Sequence, residues 1–188
     1  MLVSEHKKFS DKIVPEIFLR FLHKVGLTGN ILTLLSSICT LAAFYFFWEG
    51  NVLMGGVMAG FDWIFDFLDG KVARLYNKDS KLGSLLDFFS DRLRMSWLIG
   101  LAYSSVISFQ LAILVLFLEA MLHLTSYYIE LKGLKHVKWL PNNVHLLTFG
   151  ALLNVVVIFL YIKIVIGSFL LITQFISTII MNMNNKDK

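Results

Sequence analysis

The sequence predicts an all-α integral membrane protein: six transmembrane helices preceded by an N-terminal amphipathic surface helix. Three observations carry this prediction. The 188-residue chain is 57% hydrophobic, where soluble domains run at roughly 45–50%. Its apolar stretches Ile31–Trp48, Val52–Leu68, Leu85–Ile107, Phe109–Tyr128, Asn143–Tyr161 and Ile164–Met181 each approach the ~20 residues that cross a hydrocarbon layer. They lack the in–out alternation of a transmembrane barrel, so the helix is the structure that satisfies their backbone in lipid. Finally, a six-span topology puts sixteen of the 17 Lys and Arg on one side, with only Lys163 opposite. That side is expected to be cytoplasmic, with both termini on it. The net charge of +4 then reports membrane orientation, and no nucleic-acid partner is expected.

Residues 1–30 read as a juxtamembrane amphipathic helix and an entry turn. Ser10 or Asp11 can cap the helix, Pro15 suits its first turn, and Ile13, Ile17, Phe18, Phe21, Leu22 and Val25 form an apolar stripe. Arg20, His23 and Lys24 supply polar groups, which places the helix in the headgroup layer. Gly26 and Gly29 break it, and Asn30-Ile-Leu-Thr33 opens the first span. Residues 31–182 form the six-helix transmembrane domain and 183–188 a polar tail. No cleavable leader is expected, because the first apolar run starts only near residue 31. In the second span, Gly56-x-x-x-Gly60 predicts close helix packing within the chain. The lone Cys39 excludes an internal disulfide and reads as a small buried hydrophobe.

Spans two and three carry acids where acids are costly. The run Asp66-Phe-Leu-Asp69-Gly70-Lys-Val-Ala73-Arg74 is followed, eight residues on, by Gly83-Ser-Leu-Leu-Asp87-Phe-Phe-Ser-Asp91. Asp66 and Asp69 share one helix face, as do Asp87 and Asp91. Carboxylates so close together in an apolar chain require a cation between them. Hard divalent ions prefer oxygen ligands, so one or two Mg2+ or Mn2+ fit this pattern. Gly70, Ala73 and Gly83 leave room for a bulky ligand, and Arg74, two turns beyond Asp66, can pair with a phosphate. Metals and an arginine beside a membrane suit in-line attack on a diphosphate. Asp62 lies on the same face, and nothing in the sequence accounts for it. An ion-coupled transporter using Asp66 or Glu119 is the competing class, but the internal repeats and broken helices usual there are not seen.

The spacing D-x2-D-G-x2-A-R-x8-G-x3-D-x3-D, eight fixed residues over 26 positions, resembles the signature of the CDP-alcohol phosphotransferase family without a gap. The resemblance implies a six-span enzyme, a homodimer, that moves a phosphatidyl-type group from a CDP-linked lipid to an alcohol and releases CMP. The lipid would be CDP-diacylglycerol or an archaeal ether analogue. By the same resemblance Asp66, Asp69, Asp87 and Asp91 hold two Mg2+ or Mn2+, and Asp91 is the base on the attacking hydroxyl. Gly70, Ala73, Arg74 and Gly83 line the CDP pocket at the cytoplasmic face. Asn30 and Thr33 resemble an Asn-x-x-Thr of the family's first span, although Gly29 stands where proline is usual.

The turn Tyr76-Asn77-Lys-Asp-Ser80-Lys81-Leu-Gly83, the ending Asp87-x-x-x-Asp91-Arg92 and the pair Glu119-x-x-x-His123 resemble phosphatidylinositol synthases, which implies an inositol acceptor. Glu119, His123, Ser126, Tyr127 and Glu130 share one helix face, and a polar stripe through a span should border a wet cavity. Arg92, Glu119, His123 and Lys135 form the expected acceptor set. Alternatively, Glu119 and His123 pair with each other or with a neighbouring helix. A phosphorylated acceptor, inositol phosphate or glycerol 3-phosphate, is the other option, with its phosphate beside Arg92, Arg94, Lys132, Lys135, His136 and Lys138.

Overall fold

The computed structural model describes residues 14–76, 85, 89–131 and 143–184. The first helix, α1 (Glu16–Lys24), follows Pro15 and is braced by an Arg20–Glu16 ion pair one turn apart at 2.6 Å. Its apolar residues divide between two directions. Leu19 packs inward on Leu32 and Val72, and Leu22 is also buried, while Ile17, Phe18, Phe21 and Val25 stay exposed. Leu22 therefore leaves the stripe the sequence assigns it to. Gly26, at φ +91°, ends α1 in a left-handed turn that a side chain would disfavour.

Next come α2 (Gly29–Trp48) and α3 (Val52–Leu75), joined so tightly that they must run antiparallel. The Asn51 side chain caps α3 by accepting from the Met54 amide at 3.2 Å. Gly56 meets the expectation of close packing. A methyl group there would stand 2.8 Å from the Ala151 Cβ, so only a glycine lets α3 touch α6 (Asn143–Leu152). The same test at Gly60 finds only ordinary contact, with Thr148 at 3.9 Å.

The third apolar stretch departs from a single continuous helix. Helical residues 89–93 are followed by a break at Arg94 and Met95, and then by α4 (Ser96–Tyr103). A turn with Ser105 at φ 62° follows. Trp97 anchors α4 in the core, donating its indole N–H to the Thr40 carbonyl at 2.9 Å. The long α5 (Phe109–Leu131) and α7 (Val156–Asn184) complete the fold.

The last two stretches are divided differently from the sequence reading. The break falls at residues 153–155, where Asn154 takes a left-handed conformation (φ 56°), and not at 162–163. Asparagine tolerates that geometry better than most residues. Lys163 therefore lies inside α7 and is buried, not in a loop facing the opposite side. Likewise α7 continues to Asn184, past the expected start of the polar tail at 183.

The core draws Ala43 and Phe47 from α2, Ala59 from α3, Trp97 and Leu101 from α4, Val115 from α5, Ala151 from α6 and Leu160 from α7. Among the described residues, three helices are long and apolar enough to cross a membrane: Gly29–Trp48, Phe109–Ile129 within α5 and Val156–Ile176 within α7. Large apolar side chains such as Leu41, Phe117 and Phe169 project outward from them. In water such faces would be costly, whereas in lipid they are the solvated surface.

Candidate active site

The site grows from two polar stripes that face each other across the α2–α3 contact. On α3, Asp62, Asp66 and Asp69 fall at i, i+4 and i+7 and so share one face. On α2, Thr33, Ser36, Ser37 and Thr40 repeat the same spacing. The hydroxyls answer the acids. Thr33 Oγ1 donates to Asp69 Oδ2 at 2.7 Å, and Ser36 Oγ donates to Asp62 Oδ1. Ser37 meets Ser90 of the third stretch at 2.6 Å. Two helices otherwise made of hydrocarbon thus gain a register, because a one-residue slip would strand buried carboxylates.

A cation does sit among the acids, and it belongs to the protein. Arg94, at the break before α4, has a side chain only 5% exposed. Its Nε donates to Asp62 Oδ2 at 2.8 Å and its Nη2 to Asp62 Oδ1 at 2.9 Å, a two-pronged pair with an acid that is fully buried. The outer edge of the guanidinium reaches further. Nη2 donates to Asp66 Oδ1 at 2.8 Å and Nη1 to Asp91 Oδ1 at 2.6 Å. Asp66 and Asp91, unlike Asp62, face outward, with side chains 36% and 61% exposed. Asp62, unexplained in the sequence, is therefore the buried counter-ion of Arg94. The one available signal was its position one turn before Asp66, which adds a third acid to a single apolar face.

The structure joins Asp66 and Asp91 of the expected metal ligands through Arg94, and Asp69 lies one turn from Asp66 on the same face of α3, bonded to Thr33. Asp87 and Gly83 lie outside the described residues, as does Lys135. Among the described residues no three His, Cys, Asp or Glu converge as a metal site. The donor set nonetheless fits a hard divalent ion, since Asp66 and Asp91 each give one oxygen to Arg94, and a carboxylate has two.

Beside the acids a cavity opens between α1, α2 and α3. Gly29, Asn30 and Ala73 line it with His23, Thr28 and Tyr76. The ring of His23 stands edge-on to Tyr76 with centroids 3.8 Å apart. Of these, Asn30 and Ala73 were expected in the CDP pocket, whereas His23 and Tyr76 were not, because an α1 residue meets the end of α3 only in three dimensions. Gly29, standing where the resembled family has proline, has a packing role: a methyl group there would lie 3.2 Å from the Ala73 Cβ and 3.4 Å from the Asp69 carbonyl oxygen. Arg74 is exposed one turn beyond Gly70, with its Nη1 3.3 Å from where a Gly70 Cβ would stand. A larger residue at position 70 would displace that guanidinium.

The acceptor candidates separate. Arg92 is exposed next to Asp91. Glu119 is buried on α5, its carboxylate 2.8 Å from Lys163 Nζ on α7. His123, half exposed one turn along, sets Nδ1 3.0 Å from the Glu119 carbonyl oxygen. Further along, Thr125 donates to the Gln174 amide oxygen at 2.7 Å, again joining α5 to α7.

A sequence model of the family described as CDP-alcohol phosphatidyltransferase matches residues 27–180. The chain belongs to that family. Among curated members it is 34% identical over 113 residues to the archaetidylinositol phosphate synthase of Pyrococcus horikoshii, covering 60% of each chain. It is 30% identical over 96 residues to the phosphatidylinositol phosphate synthase of Corynebacterium glutamicum, covering 50% of this chain and 44% of that one. The chain thus spans between two fifths and two thirds of the length of these curated relatives. The fold resembles that of phosphatidylinositol phosphate synthase from Mycobacterium tuberculosis. Its crystal structure with CDP-DAG bound superposes with a TM-score of 0.67 at 19% identity, covering 89% of this chain and 92% of that one. The crystal structure of the same protein with manganese and citrate gives a TM-score of 0.68 at 20% identity, covering 84% and 85%. With three apolar helices of membrane-crossing length among its described residues, this CDP-alcohol phosphatidyltransferase family member is an integral membrane protein.

Proposed function

We propose that this protein transfers a phosphatidyl-type group from a CDP-linked lipid to an inositol phosphate, releasing CMP. The observation that carries the transfer chemistry is the meeting of Asp66 on α3 with Asp91 on the third stretch at Arg94, with Asp69 one turn from Asp66 and the Asn30–Ala73 cavity at that end of α3. Family membership favours this reading over an ion-coupled transporter. The names of two relatives, one an archaetidylinositol phosphate and one a phosphatidylinositol phosphate synthase, favour the phosphorylated acceptor over free inositol.

In this reading Asp66, Asp69, Asp87 and Asp91 hold two divalent ions, Mg2+ or Mn2+. Such ions neutralise the diphosphate and ease departure of CMP. Thr33 fixes Asp69 by donating to one of its oxygens. Asp91, the more exposed of the acids on Arg94, takes the proton of the acceptor hydroxyl as it attacks the phosphorus nearer the lipid. Asn30, Thr33, Gly70, Ala73, Arg74 and Gly83 receive the CDP portion, and Arg92, His123 and Lys135 are candidates for the acceptor phosphate. Glu119 is left to Lys163, since a sealed carboxylate cannot greet a polyol.

Six membrane spans with the site on the cytoplasmic side, α1 in the headgroup layer, and a homodimer complete the proposal. The concentration of Lys and Arg on one side of that topology supports the orientation. The exposed Ile17, Phe18, Phe21 and Val25 support the surface role of α1.

The test is a purified-protein assay with a CDP-lipid and Mg2+ or Mn2+. Inositol phosphate, inositol, glycerol 3-phosphate and serine are offered separately, with CMP release and product mobility as readouts. Inositol phosphate should be consumed, and chelation with EDTA should stop the reaction. Turnover with glycerol 3-phosphate alone would overturn the acceptor, and no CMP release with any acceptor would overturn the transfer.

A further inference from the structure

Arg94 stands at a helix break, contacts acids on two elements and is almost wholly buried. An unpaired buried arginine would be costly, and so would Asp62, which is fully buried at the centre of α3. Their two-pronged pairing cancels both charges, and Ser36 closes it by donating to Asp62 and lying 3.3 Å from Arg94 Nη2. What remains is a fixed donor edge. It is aimed at one oxygen of Asp66 and one of Asp91, residues 25 positions apart in the chain.

We infer that the Asp62–Arg94 pair is a positioning device: Asp62 neutralises Arg94, and Arg94 holds Asp66 and Asp91 in register without opposing the divalent ions they bind. The inference rests on the proposed role of Asp66 and Asp91 as metal-binding groups. Asp62 is the decisive member. With it in place, the guanidinium offers hydrogen bonds and little net charge. Without it, a full positive charge faces the metal-binding oxygens.

The test measures Mn2+ binding to the purified full-length protein by electron paramagnetic resonance of the free ion, alongside kcat and KM for the CDP-lipid. Asp62→Asn should weaken Mn2+ binding at least about tenfold, the effect of one uncompensated charge a few ångströms from a divalent ion even at the dielectric of water. Asp62→Asn/Arg94→Gln removes both charges, so Mn2+ affinity should return to within about threefold of the wild type. In that double variant kcat should stay at least about tenfold low with KM little changed, because the register of Asp91 is lost. A merely structural role would lower the yield of folded protein but leave the Mn2+ affinity of the folded fraction unmoved. An Asp62→Asn protein that binds Mn2+ as the wild type does would overturn the inference. Should Asp62→Asn not fold, the double variant decides, and a kcat close to that of the wild type would overturn it. Wild-type protein that binds no Mn2+ would instead overturn the metal-site reading on which the inference stands.

Discussion

Among the described residues, two buried ionic clusters join helices, and their charges add up differently. At the α5–α7 contact, Glu119 and Lys163 form a buried pair with side chains 2% and 6% exposed, and the half-exposed His123 ring stands 3.7 Å from the other carboxylate oxygen. Around Arg94, three acids meet one guanidinium among the described residues, and two of those acids reach the surface. A balanced and sealed pair has no charge left with which to attract a ligand. An unbalanced and open cluster keeps negative charge that a cation can satisfy. Burial and pairing alone do not mark a functional site in a membrane protein, and the residual charge and its exposure distinguish the two clusters.

The comparison breaks most visibly at Asp91. Asp91→Asn should cut CMP release by about 10²–10⁴-fold, the usual contribution of a positioned base, with little change in thermal stability because the side chain is exposed. An Asp91→Asn enzyme of normal rate would move the base elsewhere.

The sealed pair should show the reverse pattern. Glu119→Leu leaves Lys163 buried without its partner and should cost about 3–5 kcal/mol, read as a fall in the unfolding midpoint in detergent. Glu119→Leu/Lys163→Met should recover most of that loss and leave the KM for the acceptor unchanged. A raised acceptor KM in the stable double variant would return Glu119 to the acceptor site.

Smaller effects sharpen the contrast between the two contacts. Thr33→Val removes a hydrogen bond to a buried carboxylate and should cost about 1.5–3 kcal/mol, with weaker Mn2+ binding because Asp69 loses its orientation. Thr125→Val, at the neutral Thr125–Gln174 bond, should cost only about 0.5–1.5 kcal/mol and leave Mn2+ binding untouched. Equal effects of the two substitutions on Mn2+ would show that Thr33 serves the helix contact and not the acid.

Legibility from sequence followed the distance over which each cause acts. The shared face of Asp66 and Asp69 is a local consequence of helical spacing, whereas the hydroxyl stripe on α2 gains its meaning only where it meets the acids across the helix contact. The need for a cation among the acids was also legible from charge alone. Its identity was not, because Arg94 and Asp62 are 32 residues apart and meet only after the third stretch breaks at Met95. The cavity beside His23 and Tyr76 escaped for the same reason. Lys163 misled in the opposite direction. A lone charge in apolar sequence reads as a loop, until a buried glutamate on another helix is found to receive it. Asn154, the true breaking point, is a single polar residue within a long apolar run and carries a weaker signal than the lysine nine positions later.

Moving that break to residues 153–155 makes α7 a single rod of 29 residues, about 43 Å long at the usual helical rise. The hydrocarbon layer is ~30 Å thick, and at a tilt of about 20° the rod still overshoots it by roughly 11 Å, some two turns. Its polar end, which includes Asn182 and Asn184, is the part suited to stand beyond the acyl chains. A thinner or thicker bilayer changes how much of that end is wetted. Lipid thickness thus acts on the same helix that holds Lys163 against Glu119.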